Sequence, residues 1–300
     1  MPVIVRSALC GLEPPLPSDT PRLDRSLGTT SASLQLLLKE TAAGPRVLTR
    51  SSNAVALGIA EIDASLGGGL GCGALHEATA SGEATIASAT LFALAVAVRT
   101  HRSGNAQATF NRAIPDQVLS LVAKKHALWI SEDLTSLENG HLYGPGLVEV
   151  GIRPEQLIIV AAAHRRDVLW AMEEALRSPA IGVVIGELRE HNIDPIVTRR
   201  LSLAAAAGHT LGLILRTAPD HQPSAAVTRW VIGPPRSPRF GDRGGVGPPR
   251  LALQLVRNRR GHLGAWIVEW NSVEQRFKLT THSEPVAETT FNRQNRPAVA

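Results

Sequence analysis

The feature that most constrains this chain is the run from Leu66 to Ala97, LGGGLGCGALHEATASGEATIASATLFALAVA. It reads as a Gly-rich turn, a short strand, a loop of small residues and an apolar helix, which is the layout of a phosphate-binding loop. A working loop of this kind follows G-x-x-x-x-G-K-S/T. Backbone N–H groups cradle phosphate, the lysine reaches the β and γ oxygens, and the hydroxyl holds Mg²⁺. Here the corresponding residues are Thr79-Ala80-Ser81-Gly82-Glu83-Ala84-Thr85-Ile86. No lysine occurs between Thr41 and Gln117, and Glu83 puts a negative charge where a polyanion has to lie. The layout of a nucleotide site is present without its cation.

Three hundred residues with 44% hydrophobic content can bury one large core. The longest apolar run, Ile86–Val98, is too short for a bilayer, and the Pro- and acid-containing N-terminus lacks the apolar stretch of a signal peptide. The expectation is a cytoplasmic protein with no membrane partner. Two cysteines and ten histidines show no metal-ligand spacing, so neither a metal nor a cofactor is expected. There is no G-x-S-x-G elbow, and 4% aromatic content is too low for a base-stacking platform. His76 reads as a satisfied polar residue at a sheet end, and Trp266 and Trp270 as core side chains on one strand face. Basic charge is concentrated: Arg229 to Arg260 holds eight arginines against the single acid Asp242. That is the footprint of a phosphate backbone or an acidic partner, against a plainly solvated loop.

The pattern along the chain divides it into four parts. Residues 1–30 lack periodicity and read as disordered, as does the tail 281–300. Residues 31–53 hold a short helix, Ser31–Ala43, and a linker; the helix has Leu34, Leu36, Leu37 and Leu38 on half its circumference and must dock, on its own domain or on a neighbour. From residue 54 to 280 strand and helix patterns alternate, which argues for an α/β core with a mostly parallel sheet. Strands are expected at 73–78, 127–131, 156–161, 181–185 and 210–216. Helices are expected at 85–98, at 164–178 and from an N-cap at Asp194 to just before Gly208. Three further strands, 227–232, 250–256 and 264–270, follow without helices between them and are expected to add antiparallel edges.

Leu57–Leu70 (LGIAEIDASLGGGL), followed by strand, loop and helix, resembles the start of the RecA ATPase core. Later pieces resemble one RecA-related family, ImuA, the accessory factor of bacterial inducible-mutagenesis cassettes. They are LYGPGL (142–147), VLWAMEEAL (168–176), VVIGEL (183–188), RRLSLA (199–204), LQLVRNRRG (253–261) and WIVEWN (266–271). The resemblance runs from about residue 30 to 280 and rests on order and spacing together. It implies a RecA-like fold and a role in DNA damage repair, under the SOS response, as part of error-prone translesion synthesis and mutagenesis. The implied partners are a Y-family-polymerase-like protein and an error-prone polymerase, with RecA and DNA as further candidates. Some members have also been labelled relatives of the cell-division inhibitor SulA.

The other positions of a RecA-type site can be checked on the same residues. The acid that orients water in such a core falls at Glu132 or Asp133, after Trp129-Ile130-Ser131. The metal-holding Asp at the end of an apolar strand is replaced by Gly186, with Glu187 one residue on, which on a regular strand faces the opposite side. Ser81, Gly82, Thr85, Asp133 and Glu187 therefore form a degenerate nucleotide site with no catalytic residue. Arg250, Arg257, Arg259 and Arg260 are the candidates for DNA or partner contact. The resulting expectation is a non-hydrolysing RecA-like adaptor. The alternatives are a weak nucleotide sensor or slow NTPase, and a SulA-like inhibitor of cell division.

Overall fold

The computed structural model describes residues 4–7, 54–110, 126–178, 180–188, 193–217, 222–235 and 247–280, all in one compact unit. The elements, in chain order, are β1 (Ile4–Ser7), β2 (Ala54–Val55), α1 (Ala60–Ser65), β3 (Leu70–Gly71), β4 (Leu75–Ala80) and α2 (Ile86–Phe110). They continue with β5 (His126–Glu132), α3 (Asp133–Asn139), α4 (Gly144–Val150), β6 (Leu157–Ala162), α5 (Arg165–Leu176), β7 (Ile181–Leu188) and α6 (Pro195–Gly208). The last five are β8 (Leu211–Arg216), β9 (Thr228–Gly233), β10 (Arg250–Asn258), β11 (Gly264–Asn271) and β12 (Arg276–Leu279).

Ten strands form one sheet in the order β1-β6-β5-β7-β8-β4-β9-β10-β11-β12. The six from β6 to β9 are parallel; β1 pairs antiparallel with β6, and β10, β11 and β12 follow antiparallel. The strand that leads into the phosphate-loop position, β4, lies inside this sheet, followed by a helix that covers one face. This is the α/β core with a mostly parallel sheet and antiparallel C-terminal strands that the sequence pattern implies. One expectation is corrected. β9 does not add an antiparallel edge but runs parallel to β4, because β8 and β9 flank β4 and the chain crosses over it between Arg216 and Thr228.

The core has two layers, one on each face of the sheet. On one face α2 lies against Ala78, Trp129, Ile185, Leu213 and Trp230, and the aromatic group Phe92, Trp230, Trp270 and Phe277 fills the space beneath the C-terminal strands. On the other face α5 and α6 cover Leu75, Leu128, Ile130, Val184 and Ile214. Residues alternate between the layers along each strand, as a sheet buried on both faces requires. Trp270 is buried and Trp266 packs against the same layer, as read from their spacing. The apolar helix is longer than the run 86–98 suggests. By length and composition Glu83–Ser103 could cross a membrane, but Phe92–Val98 are buried under the sheet, which makes α2 the core helix.

Within the N-terminal thirty residues, expected to be disordered, Ile4–Ser7 form the edge strand β1; the remainder of that stretch lies outside the described residues. So do the tail 281–300 and the leucine-rich stretch 31–43, with Leu34, Leu36, Leu37 and Leu38.

Candidate functional site

The phosphate-loop position is closed on itself. Only Ser81 to Thr85 separate β4 from α2, and Glu83–Thr85 form a single 3-10 turn. The Gly82 N–H donates to Thr85 Oγ1 at 3.0 Å, the Thr85 hydroxyl donates to the Gly82 carbonyl at 2.7 Å, and the Thr85 N–H donates to the same carbonyl at 2.9 Å. Ser81 Oγ lies 3.0 Å from Thr85 Oγ1, and the Ser81 N–H donates to the Ile232 carbonyl at 2.7 Å. Ser81 also fits only because residue 233 is glycine: a Cβ there would lie 2.3 Å from Ser81 Oγ. In a working loop these donors converge on phosphate. Here they are used by the protein, and Glu83 is exposed beside them.

Glu187 and Asp133 part company in the structure. Gly186 pairs with Ile130 and Ile214 and faces α5, where a Cβ would lie 2.0 Å from Met172 Sδ. Glu187 therefore faces α2, the side on which a phosphate loop's helix lies, and the one-residue displacement puts the acid on that side. Its carboxylate is buried and accepts the indole N–H of Trp129 at 3.2 Å. Asp133 is exposed in the first turn of α3, where an acid favours the helix dipole.

Beside Glu187 opens a cavity of about 610 Å³, between the first turns of α2 and the ends of β5, β6 and β7, closed by residues 140–150. Its walls include Ile86, Leu91, Leu94, Trp129 and Leu147, with Thr90, Ser131, His141, Tyr143 and Glu187 as polar residues. Among the described residues no lysine or arginine lines it. A carboxylate in an apolar cavity repels a triphosphate, so this space suits an apolar or cationic group. Of the five residues of the degenerate site, Ser81, Gly82 and Thr85 form one closed turn, Glu187 faces the cavity and Asp133 stands apart.

The four candidate arginines do not form one patch. Arg250 pairs with Glu269 at 3.3 Å, seven residues and roughly 20 Å along β10 from Arg257. Arg260 points toward the β2–β3 pair: its Nη1 is 3.0 Å from where a Cβ on Gly71 would lie. Arg257 and Arg259 lie together, beside Arg229 and the buried Glu77. The other arginines of the basic stretch, at 236, 239 and 243, lie outside the described residues. Sequence reasoning missed Glu77 and Arg216, and counted Arg229 in the basic stretch without singling it out; an acid inside a buried parallel strand was the signal that could have found the group.

His76 is a structural residue. Its Nε2 donates to the Gly71 carbonyl at 3.0 Å, and its Nδ1 accepts from the Thr228 hydroxyl at 2.8 Å, which in turn accepts the Trp230 indole N–H at 3.0 Å. Burial pushes its pKa down to about 4, despite the Gly71 hydrogen bond, with the Arg260 charge adding to the shift. A neutral, doubly bonded ring is no base for an attacking water. Among the described residues no group of three or more His, Cys, Asp or Glu side chains is placed to hold a metal ion.

No family model matches the chain. It is 28% identical over 216 residues to Protein ImuA of Caulobacter vibrioides, in both strain NA1000 / CB15N and strain ATCC 19089, covering 68% of this chain and 77% of the relative. Among solved structures it is similar to the RadB recombinase at 12% identity and a TM-score of 0.45, over 77% of this chain and 100% of that one. The chain is thus similar, over two thirds of its length, to curated proteins of the family that its sequence segments resemble.

Proposed function

We propose that this protein is a non-hydrolysing RecA-like adaptor in damage-induced, error-prone DNA synthesis. It holds a Y-family-polymerase-like partner near DNA, in the cytoplasm. The observation that carries this reading is the closed turn Ser81–Thr85, which uses its Ser81, Gly82 and Thr85 N–H groups internally and lacks a lysine. Phosphoryl transfer is almost entirely positioning and charge stabilisation. A loop that can do neither leaves the fold as a frame for binding. Similarity to Protein ImuA supports a place in a mutagenesis cassette. The leucine-rich stretch 31–43 is the seat we assign to the partner, with the arginines of β9 and β10 toward DNA and an error-prone polymerase or RecA as further neighbours.

The test is affinity purification of the tagged chain from cells after DNA damage, together with a hydrolysis assay. The expected result is capture of a Y-family-polymerase-like protein, loss of that capture in Leu36→Asp/Leu37→Asp, and no ATP hydrolysis above background. Capture of a cell-division protein instead would replace the adaptor with an inhibitor. Hydrolysis that disappears in Thr85→Ala would show a working nucleotide site and end the non-catalytic reading.

A further inference from the structure

Three neighbouring strands carry a row of charges that a merely solvated surface has no reason to hold. Glu77 on β4 is registered with Arg229 on β9, and Arg229 with Arg257 on β10. Registered residues on adjacent strands emerge on the same face, about 4.8 Å apart. Glu77 is fully buried; it accepts from Arg229 Nε at 2.6 Å, lies 3.6 Å from Arg216 Nη2 and accepts the Ser224 hydroxyl. Arg229 also donates to the Gln222 carbonyl at 2.9 Å, and Arg259 donates to the Ser224 carbonyl at 3.0 Å. Loop 222–227 is thereby tied to the same place.

Among the described residues, four guanidinium groups meet here around one carboxylate. Neither Arg257 nor Arg259 has a described carboxylate within 4.0 Å. Arg257 stands directly opposite Arg229, a like-charge pairing that weakens a sheet. Burial and crowding by Arg259 and Arg229 hold its guanidinium below the usual arginine range, with Glu77 opposing.

A bulge creates this pairing. The register slips between Leu255, opposite Trp230, and Arg257, opposite Arg229, so Val256 is the extra residue. Without it Arg257 would fall opposite Thr228, on the face of His76 and Trp230. Bulges re-aim side chains, and this one turns a second guanidinium toward a first at a cost in stability. That cost is relieved when an anion sits between them. Paired guanidinium forks suit the oxygens of phosphate. The described aromatic side chains nearby, Trp230 and Trp266, pack in the layer on the opposite face, so bases are not stacked here.

We propose that Arg229, Arg257 and Arg259 form a binding site for the phosphates of a polynucleotide backbone, with buried Glu77 as the residue that positions Arg229. The site rests on the adaptor reading only in expecting DNA beside the protein. It is read by anisotropy of a labelled thymidine oligonucleotide of about 20 nucleotides, titrated with the full chain between about 50 and about 200 mM salt. Each lost phosphate contact lowers the log–log slope by about 0.7 on a single strand, so Arg257→Gln/Arg259→Gln should flatten it by about 1.4. Arg250→Gln, far along the same strand, should leave it unchanged. The double variant should melt no earlier than the parent, because a like-charge pair is gone; if it does unfold, the exposed Arg259→Glu alone should still flatten the slope. Partner capture by these variants should persist, which separates this site from the adaptor reading. An unchanged slope in both variants overturns the site and leaves that reading standing. A polyglutamate peptide that displaces the oligonucleotide at equal charge concentration assigns the arginines to an acidic protein segment and also overturns it.

Discussion

The two ring nitrogens of His76 fix its protonation state, and that state sets a pH dependence for the whole domain. A carbonyl can only accept, so Nε2 carries the proton toward Gly71 and Nδ1 is left to accept from Thr228. Protonating Nδ1 would set two donors against each other in a buried site, consistent with a pKa of about 4. An unfolded histidine titrates near 6.5. Below that pH the unfolded chain takes up a proton that the folded ring refuses, so stability is full above about 6.5, falls between 6.5 and 4, and levels off below. For a side chain this buried the full shift corresponds to roughly 3 kcal/mol. His101, also pushed down to about 4 by burial and the neighbouring His126 and Arg153 charges, acts in the same window. We expect denaturant melts of the parent to lose more stability between about pH 7 and about pH 4.5 than those of His76→Gln. Equal losses would mean that His76 is not held neutral.

Two glycines decide how the elements pack, and neither is there for a left-handed backbone. A Cβ on Gly208 would lie 2.0 Å from the Leu176 carbonyl, so the ends of α5 and α6 touch through backbone. The sequence marks Gly208 as just beyond the helix; it is instead the last helical residue, and His209 takes the left-handed turn at φ 50°. Gly186 allows Met172 to press onto β7. Restoring an acid with Gly186→Asp should therefore bury a carboxylate against α5, lower stability by about 3 kcal/mol or more, and leave Mg²⁺ binding unchanged in calorimetry. Gain of Mg²⁺ binding without loss of stability would show that residue 186 faces the loop. The helices were legible because their local signals are strong: α5 by its apolar stripe, α6 by Asp194, whose carboxylate accepts the Ile196 N–H at 2.8 Å, and Pro195 behind it. So was the missing lysine of the phosphate loop, though not the way the turn closes on itself. Long-range pairing was not. The parallel run of β9 beside β4, the edge strand Ile4–Ser7 and the bulge at Val256 depend on residues far apart in sequence. The last of these decides which arginines act together, so the four read as one group from the sequence separate in space.

At the scale of the whole molecule, an ATPase fold usually couples its stability to nucleotide, and this one should not. A ligand that binds only the folded state raises stability by RT ln(1 + [L]/Kd), about 2.7 kcal/mol at a hundredfold excess over Kd. For a domain of this size each kcal/mol moves the melting temperature by about 2–4 °C, so such a ligand raises it by about 5–11 °C. In the turn Ser81–Thr85 the Ser81, Gly82 and Thr85 N–H groups are already bonded within the protein, and among the described residues the adjoining cavity presents Glu187 and apolar walls rather than a Lys or Arg. Phosphate would have to break the Gly82–Thr85 bonds and approach Glu83 for the sake of the helix dipole alone. We therefore expect no shift in melting temperature with millimolar Mg²⁺-ATP. Glu83→Lys should not create one either, because charge is restored while the turn stays closed. A shift of several degrees in the parent would mean that the turn opens on nucleotide. A shift in Glu83→Lys alone would mean that the missing cation, and not the closed backbone, is what silenced the site.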